Sequence, residues 1–257
     1  MEYNCRLYSY PSGNHVTFFK KTVTRKEKDI DNDTVKKENT HFTKSHVDEN
    51  RTQEAEAHSK NVSLSASKNR IYNIARSNTW QWFITLTFDR NNNDSSDYEI
   101  VTRRLKTFLN HLQQRKCPDM KYLIVPELHA DKEHYHFHGL LSNVDNLRFC
   151  FSGKFDKKEN PIFNILDWTY GFTTATQVKD TNRASSYITK YVTKDIDLKL
   201  KNKKRYLCSR NIDRTEPEFM MMYEEDFLEV YADDIAYAKN VKVAAAHQSI
   251  NYYELKD

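Results

Sequence analysis

The spacing of hydrophobic positions changes along the middle of the chain, and these changes predict the elements of a folded domain. Residues 80–88 are a dense run of aromatic and β-branched residues that ends in a polar stretch, which is typical of a strand. From Val101 to Leu112, apolar residues recur every three or four positions and predict an amphipathic helix. Two apolar runs at 122–127 and 134–141, separated by a short polar segment, predict a β-hairpin.

The rest of the chain adds elements on both sides of this centre. The expected helices are 63–76, 182–194 and one near 227–235, the expected strands are 171–178 and 203–208, and 21–50 is expected to be loose or extended. Strands and helices in this order, with hairpin connections, predict an α+β fold. A mainly antiparallel sheet would carry helices packed against it.

Composition and charge divide the chain into three predicted parts. Residues 1–51 form a poorly structured or extended segment, 52–212 form the domain that holds the motifs, and 213–257 form an acidic helical tail. The tail has eleven acidic and four basic residues, although the whole chain has a formal net charge of +4. The remainder is therefore strongly basic, which suits a polyanionic partner such as nucleic acid.

Several classes of protein are disfavoured by what the sequence lacks. The four cysteines form no Cys-x-x-Cys pair, so neither a zinc ribbon nor a disulfide scaffold is indicated, and a reducing cytoplasm fits best. No apolar run approaches the roughly 18 residues of a membrane span, and the N-terminus has no signal-peptide pattern. Gly153-Lys154 lacks the other residues of a P-loop, so any DNA unwinding would need a separate helicase.

Two histidines in the second strand of the hairpin are candidate metal ligands. His136 and His138 are two residues apart and therefore point to the same face of an extended strand. If the turn centres near Asp131 and Lys132, Glu127 pairs opposite His136 on that face. Two imidazoles and a carboxylate suit a divalent metal that keeps positions open for substrate, although the pattern alone also fits a polar strand face.

A doubled Tyr-x-x-Lys pattern supplies a candidate nucleophile. Tyr187 and Tyr191 are four residues apart, which places them on one face of the predicted helix, and Lys190 and Lys194 follow the same repeat. An ordinary core stripe would show the same spacing. A tyrosine hydroxyl is a weak nucleophile near neutral pH unless its electrophile is polarised, and a metal bound to phosphate provides that polarisation. Metal, tyrosine and lysine together form a coherent set for phosphodiester cleavage.

These motifs, in this order, resemble those of the HUH endonucleases, specifically the rolling-circle replication initiator (Rep) proteins of phages and small plasmids. The resemblance spans 80–208 and rests on Phe83 to Phe88, the His136-Phe137-His138 triplet and the paired tyrosines. It implies a sheet of about five antiparallel strands with flanking helices, and it makes 52–212 the nicking and origin-binding domain. Phe83 to Phe88 would be structural.

The resemblance also implies residue roles and partners. His136 and His138 would bind Mg or Mn, with Glu127 as third ligand and His129 and His134 as nearby alternatives. A tyrosine would attack single-stranded DNA at a replication origin and leave a 5′-phosphotyrosine and a free 3′-hydroxyl for a host polymerase. Both tyrosines act in phage initiators and one acts in the initiators of small circular DNA viruses, so the choice between Tyr187 and Tyr191 stays open.

Other functions remain compatible with the sequence. A mobilisation relaxase or a single-strand transposase would use similar chemistry on a different DNA substrate. A non-catalytic nucleic-acid-binding domain would instead stack bases on strand aromatics such as Trp82 and Phe83, with structural histidines. Metal-dependent covalent capture of DNA distinguishes the enzymes from the binding domain.

Overall fold

A computed structural model describes residues 1–25, 49–193, 200, 203–243 and 248–256. It contains two compact units, one formed by Leu64–Thr215 and the other by Met1–Ser63 together with Glu216–Asp257. The described helices are α1 (Glu49–Arg76), α2 (Tyr98–Arg115), α3 (Thr181–Ile188) and α4 (Glu224–Tyr231). The strands are β1 (Glu2–Tyr10), β2 (Gly13–Thr24), β3 (Trp82–Thr87), β4 (Lys121–Leu128), β5 (Tyr135–Ser142), β6 (Phe149–Phe155), β7 (Pro161–Ile165), β8 (Thr173–Gln177), β9 (Leu207–Cys208), β10 (Glu218–Met220), β11 (Ile235–Val243) and β12 (Gln248–Leu255).

The Leu64–Thr215 unit is built on a seven-stranded sheet with the order β6-β7-β8-β3-β5-β4-β9. Every pairing given for this sheet is antiparallel, so the predicted α+β class is confirmed. The sheet has more strands than the expected five. Strands β6 and β7 form a hairpin in a region that the sequence pattern left as a polar loop, because Ser152, Gly153 and Pro161 interrupt its alternation.

The two faces of this sheet use alternate residues of the same strands. One face, called the α2 face below, is covered by the apolar side of α2, and its fully buried residues include Ile84, Leu86 and Phe137. The predicted helical spacing is confirmed, since the helix positions that it selected are all buried: Val101, Leu105, Phe108, Leu109 and Leu112. Asp97 begins the helix by accepting hydrogen bonds from the backbone N–H groups of Glu99 and Ile100.

The opposite face, called the α3 face, is apolar at one end and polar at the other. At its apolar end Leu123 and Leu140 pack with Ile71 and Ile74 of α1 and with Ile188 of α3. At its polar end the alternation continues into histidine, threonine and glutamate. Because α3 packs over the apolar end, the residues that follow it are delivered next to these polar groups.

The predicted helix over 182–194 is shorter in the structure. Helix α3 is capped by Asp180, which accepts a hydrogen bond from the N–H of Arg183 at 3.0 Å, and it ends at Ile188. A 3-10 turn, Thr189–Tyr191, follows. This run is rich in β-branched residues and tyrosine, which are weaker helix formers than leucine or alanine. Of the predicted basic strand at 203–208, only Leu207–Cys208 pairs with β4.

The other unit contains a five-stranded sheet with the order β10-β1-β2-β12-β11. This arrangement differs from the expected loose N-terminal segment and helical tail. Residues 2–24 form a β-hairpin, and the tail contributes a second hairpin besides helix α4, whose Phe227 is buried against Cys5 and Phe18. Ile235, which was expected to continue a helix, starts β11.

These differences have a common cause, which is pairing between residues that are far apart in the sequence. Strand β12 pairs with β2, so Tyr253 lies opposite Val16. Helical spacing around Phe227 is a local signal and carries no information about such a pairing. The boundaries predicted at 51/52 and 212/213 therefore do not coincide with the compact units, which divide near 63/64 and 215/216.

No helix among the described residues is long and apolar enough to cross a membrane.

Candidate functional site

The β4–β5 turn places Glu127 opposite His136, as the sequence predicted. Asp131 fixes this turn by accepting hydrogen bonds from the backbone N–H groups of Glu133 and His134, at 2.9 and 3.1 Å. Lys132 adopts a left-handed conformation with φ of 58°. This geometry sets the register, and therefore which side chains of the two strands face each other.

Glu127, His136 and His138 converge at the polar end of the α3 face. The Nε2 atoms of both histidines lie 2.7 Å from the same carboxylate oxygen, Oε2 of Glu127. One potential ligand atom from each residue lies within 4.8 Å of the others. The three residues predicted as metal ligands are thus brought together by two neighbouring strands.

The electrostatics of the cluster favour the forms that bind metal. Burial alone would raise the pKa of Glu127, but hydrogen bonds from His136 and His138 outweigh it and lower the pKa to about 2. The pKa of His138 is lowered by burial and by the neighbouring His136, against the opposing effect of Glu127. An ionised carboxylate and a neutral imidazole are the forms that coordinate a metal, so the donor set fits a divalent cation.

Thr85 holds the buried histidine from the adjacent strand. Its Oγ1 lies 3.0 Å from Nδ1 of His138, and the two residues are direct partners in the β3–β5 ladder. If Nε2 of His138 binds a metal, Nδ1 carries the proton and donates to the threonine hydroxyl. Sequence analysis treated this strand as purely structural; the Phe83, Thr85, Thr87 alternation was the available signal for a second role.

The alternative histidines lie on either side of the turn. The ring of His129 is 4.2 Å from that of His136, measured between centroids, so it borders the cluster. His134 instead makes a contact of 3.0 Å between its Nδ1 and Oδ2 of Asp131. Among the described residues, the metal-ligating group comprises Glu127, His136 and His138.

Both predicted tyrosines reach this cluster, although they do not lie on one continuous helix. The ring of Tyr191 stacks on His138, with centroids 3.5 Å apart and planes inclined by 15°. Tyr187, in the last turn of α3, lies 5.3 Å from Tyr191 in an edge-on arrangement. Phe83 contacts both rings, at 5.2 Å from Tyr187 and 6.1 Å from Tyr191. The shorter helix and the 3-10 turn therefore still bring the two phenols together.

The two tyrosines differ in their surroundings. Tyr187 is 47% exposed, and the Nζ of Lys190 lies 5.4 Å from its ring centroid. Tyr191 is half-buried, and burial, a hydrogen bond with Tyr187 and the charge of Glu127 raise its pKa well above the ordinary value. Its phenol is therefore protonated at neutral pH. Lys194, the fourth predicted catalytic residue, lies outside the described residues.

The aromatic residues considered as base-stacking platforms are engaged within the protein. Trp82 stacks on Phe149 with centroids 4.0 Å apart, on the α2 face. Phe83 supports the two tyrosines on the other face. These packing roles favour a structural function for both rings over direct base stacking.

Comparison with known proteins agrees with the location of the site. Residues 81–196 match a family described as Replication-associated protein ORF2. This range begins just before β3 and includes the Glu127, His136 and His138 cluster and both tyrosines. No curated protein and no solved structure gives a significant match. The family match supports the assignment of this chain to the rolling-circle replication-associated (Rep) proteins.

Proposed function

We propose that this replication-associated protein is an HUH-type endonuclease that nicks single-stranded DNA at an origin and joins it to a tyrosine. The observation that carries the proposal is the stacking of Tyr191 on His138, a member of the Glu127, His136 and His138 cluster. This contact places a phenol beside a group of side chains suited to a divalent cation. A purely structural tyrosine pair would not require such a neighbour.

In the proposed reaction, the tyrosine oxygen forms a bond to phosphorus while the bond from phosphorus to the 3′ oxygen breaks. The phenol loses its proton and the released 3′ oxygen takes one up, so a free 3′-hydroxyl and a 5′-phosphotyrosine result. One phosphodiester replaces another, and no nucleotide cofactor is consumed. A bound Mg or Mn ion would polarise the scissile phosphate, and Glu127, His136 and His138 would hold it.

We assign the first attack to Tyr191, because its ring contacts the ligand cluster directly. Tyr187 lies one ring further away and is more exposed, which suits a second cleavage when the origin has been regenerated. Lys190, next to Tyr187, is placed to offset negative charge on that phenolate or on phosphate. Phe83 holds the two phenols at their separation.

The test is metal-dependent covalent capture of DNA. The protein is incubated with labelled single strands derived from the origin and Mn²⁺, and denaturing electrophoresis reports the adduct. We expect an adduct with the wild type, a large loss in Tyr191→Phe, a smaller loss in Tyr187→Phe, and none in the double variant or in His136→Ala. Tyr8→Phe, in the five-stranded sheet, is the matched control and should leave the adduct unchanged.

Two results would contradict the proposal. An adduct that persists in the double tyrosine variant would place the nucleophile elsewhere. Wild-type protein that binds the strand without any adduct, with each divalent cation tested, would favour a non-catalytic DNA-binding domain. The position of the cut then separates replication from related roles, since a transfer origin would indicate mobilisation and a terminal hairpin would indicate transposition.

A further inference from the structure

Phe172 is an exposed aromatic residue that shares a face of the sheet with the ligand cluster. Its neighbours along β8 alternate, with Thr173 and Ala175 buried on the α2 face and Thr174 and Thr176 on the α3 face. The same alternation places Phe172 on the α3 face. Its side chain is 59% exposed, which is uncommon for a phenylalanine in a well-packed sheet.

The strand register places Phe172 in the row of residues that contains two of the candidate ligands. Leu86 pairs with Thr173, and the backbone N–H of Thr87 donates to the carbonyl of Phe172 at 2.9 Å, so Thr87 and Phe172 are partners. Thr87 in turn pairs with His136, and His136 with Glu127. Phe172 is therefore two strand spacings from His136, or about 10 Å.

The backbone that carries Phe172 is held firmly against the end of β3. Gly171 has φ of +155°, and a Cβ there would lie 2.4 Å from the backbone nitrogen of Asp89. The carbonyl of Tyr170 accepts hydrogen bonds from the N–H of Asp89 and from the side chain of Asn93, both at 2.9 Å. The ring of Phe172 is thus presented to solvent on a fixed backbone.

We propose that Phe172 stacks on an unpaired base next to the phosphate that the ligand cluster binds. This inference rests on the proposed function, because it takes single-stranded DNA as the substrate. A base presents an apolar flat face, and an aromatic side chain about 10 Å from the bound phosphate lies within the span of a neighbouring nucleotide. Burial of the ring by the base also accounts for an apolar side chain that the fold leaves exposed. Phe172 is a positioning residue that orients the strand.

The test measures strand binding in a protein that cannot cleave. Tyr187 and Tyr191 are both changed to Phe, and fluorescence anisotropy with Mn²⁺ follows a short labelled single strand of mixed sequence. We expect Phe172→Ala to weaken binding about five- to a hundredfold. Phe172→Trp should bind like the parent, and Phe172→Leu should resemble Phe172→Ala, because it retains an apolar side chain without a ring.

Phe155→Ala is the matched control, since Phe155 is a similarly exposed phenylalanine of the same unit in the edge strand β6. It should leave binding unchanged. The dependence of affinity on salt should be the same in Phe172→Ala and the parent, because no phosphate contact is removed. Thermal melting should also be unchanged, because the lost side chain is exposed.

Equal affinities for Phe172→Ala and its parent would overturn the inference, and so would full binding by Phe172→Leu. A change in oligomeric state on Phe172→Ala without any change in DNA affinity would also overturn it, by assigning the ring to contacts between copies. These results are separable from the proposed chemistry. A Phe172 effect without any wild-type adduct would contradict the nicking proposal alone, and an adduct without a Phe172 effect would contradict this inference alone.

Discussion

The two faces of the seven-stranded sheet are made by neighbouring residues of the same strands, yet they differ in kind. On β5, Phe137 points into the core beneath α2 and is fully buried, while His136 and His138 on either side of it point to the ligand cluster. On β4, Ile124 and Val125 divide in the same way between the two apolar clusters. The period-two geometry of a strand separates the residues for stability from those for chemistry within a single tripeptide.

The α3 face shows how such a division is accommodated. Its apolar end packs with α1 and α3, so the face as a whole still contributes to the core. The polar groups are confined to the strand ends near the β4–β5 turn, where they hydrogen-bond to each other and to Thr85. A buried polar group without such partners would cost stability, which explains why the histidines occur as a connected set.

The largest expected effect comes from the α2 face. Phe137→Ala should lower the free energy of unfolding by about 3–5 kcal/mol, because it leaves a cavity in a fully buried cluster. Urea unfolding followed by circular dichroism measures the change. His136→Ala, one residue away on the other face, is the matched variant and should cost about 1 kcal/mol or less. Similar losses in the two variants would remove the distinction between the faces.

A second expected effect concerns the segment that closes the end of β3. Gly171→Ala should destabilise the protein by about 2 kcal/mol or more, because the added Cβ meets backbone atoms of Asp89 and Thr87 and the φ angle is strained. Gly153→Ala is the control: its φ is +74°, but nothing lies within 4 Å of the added carbon. It should cost only about 1 kcal/mol. Equal shifts in thermal melting would argue against close packing at Gly171.

The smallest effect tests the support of the α3 face. Thr85→Val retains the shape of the side chain but removes the hydroxyl next to Nδ1 of His138. We expect about tenfold weaker Mn²⁺ binding, measured by isothermal titration calorimetry, because the imidazole loses the partner that fixes its orientation. Thr174→Val, the neighbouring threonine on β8, should bind Mn²⁺ like the wild type. Unchanged affinity in Thr85→Val would assign the hydroxyl to packing alone.

The sequence predicted the candidate ligand set well because the features that define it are local. Alternation places His136 and His138 on one face, and a short turn leaves few registers for Glu127. The paired tyrosines were also recognised, but their helix was predicted too long. Their meeting with His138 depends on the packing of α3 across β4 and β5, which no local pattern records.

Non-local pairing also explains what the sequence analysis missed elsewhere. The β1–β2 hairpin had a usable signal, since Tyr10-Pro11-Ser12-Gly13 is a turn sequence and Tyr3, Cys5 and Leu7 alternate before it. The pairing of β12 with β2 had none, because the two strands come from opposite ends of the chain. Phe172 was treated only as part of a strand, since its position beside the cluster follows from the register of three strands.

The central claim is that a tyrosine on the α3 face becomes covalently joined to DNA when a divalent cation is present. The most direct measurement is mass spectrometry of the wild-type protein after incubation with an origin-derived single strand and Mn²⁺, nuclease trimming and proteolysis. The account predicts a phosphonucleotide on Tyr191, with a smaller amount on Tyr187, and no modified peptide in EDTA. Modification at any other residue, or the same yield without metal, would contradict it.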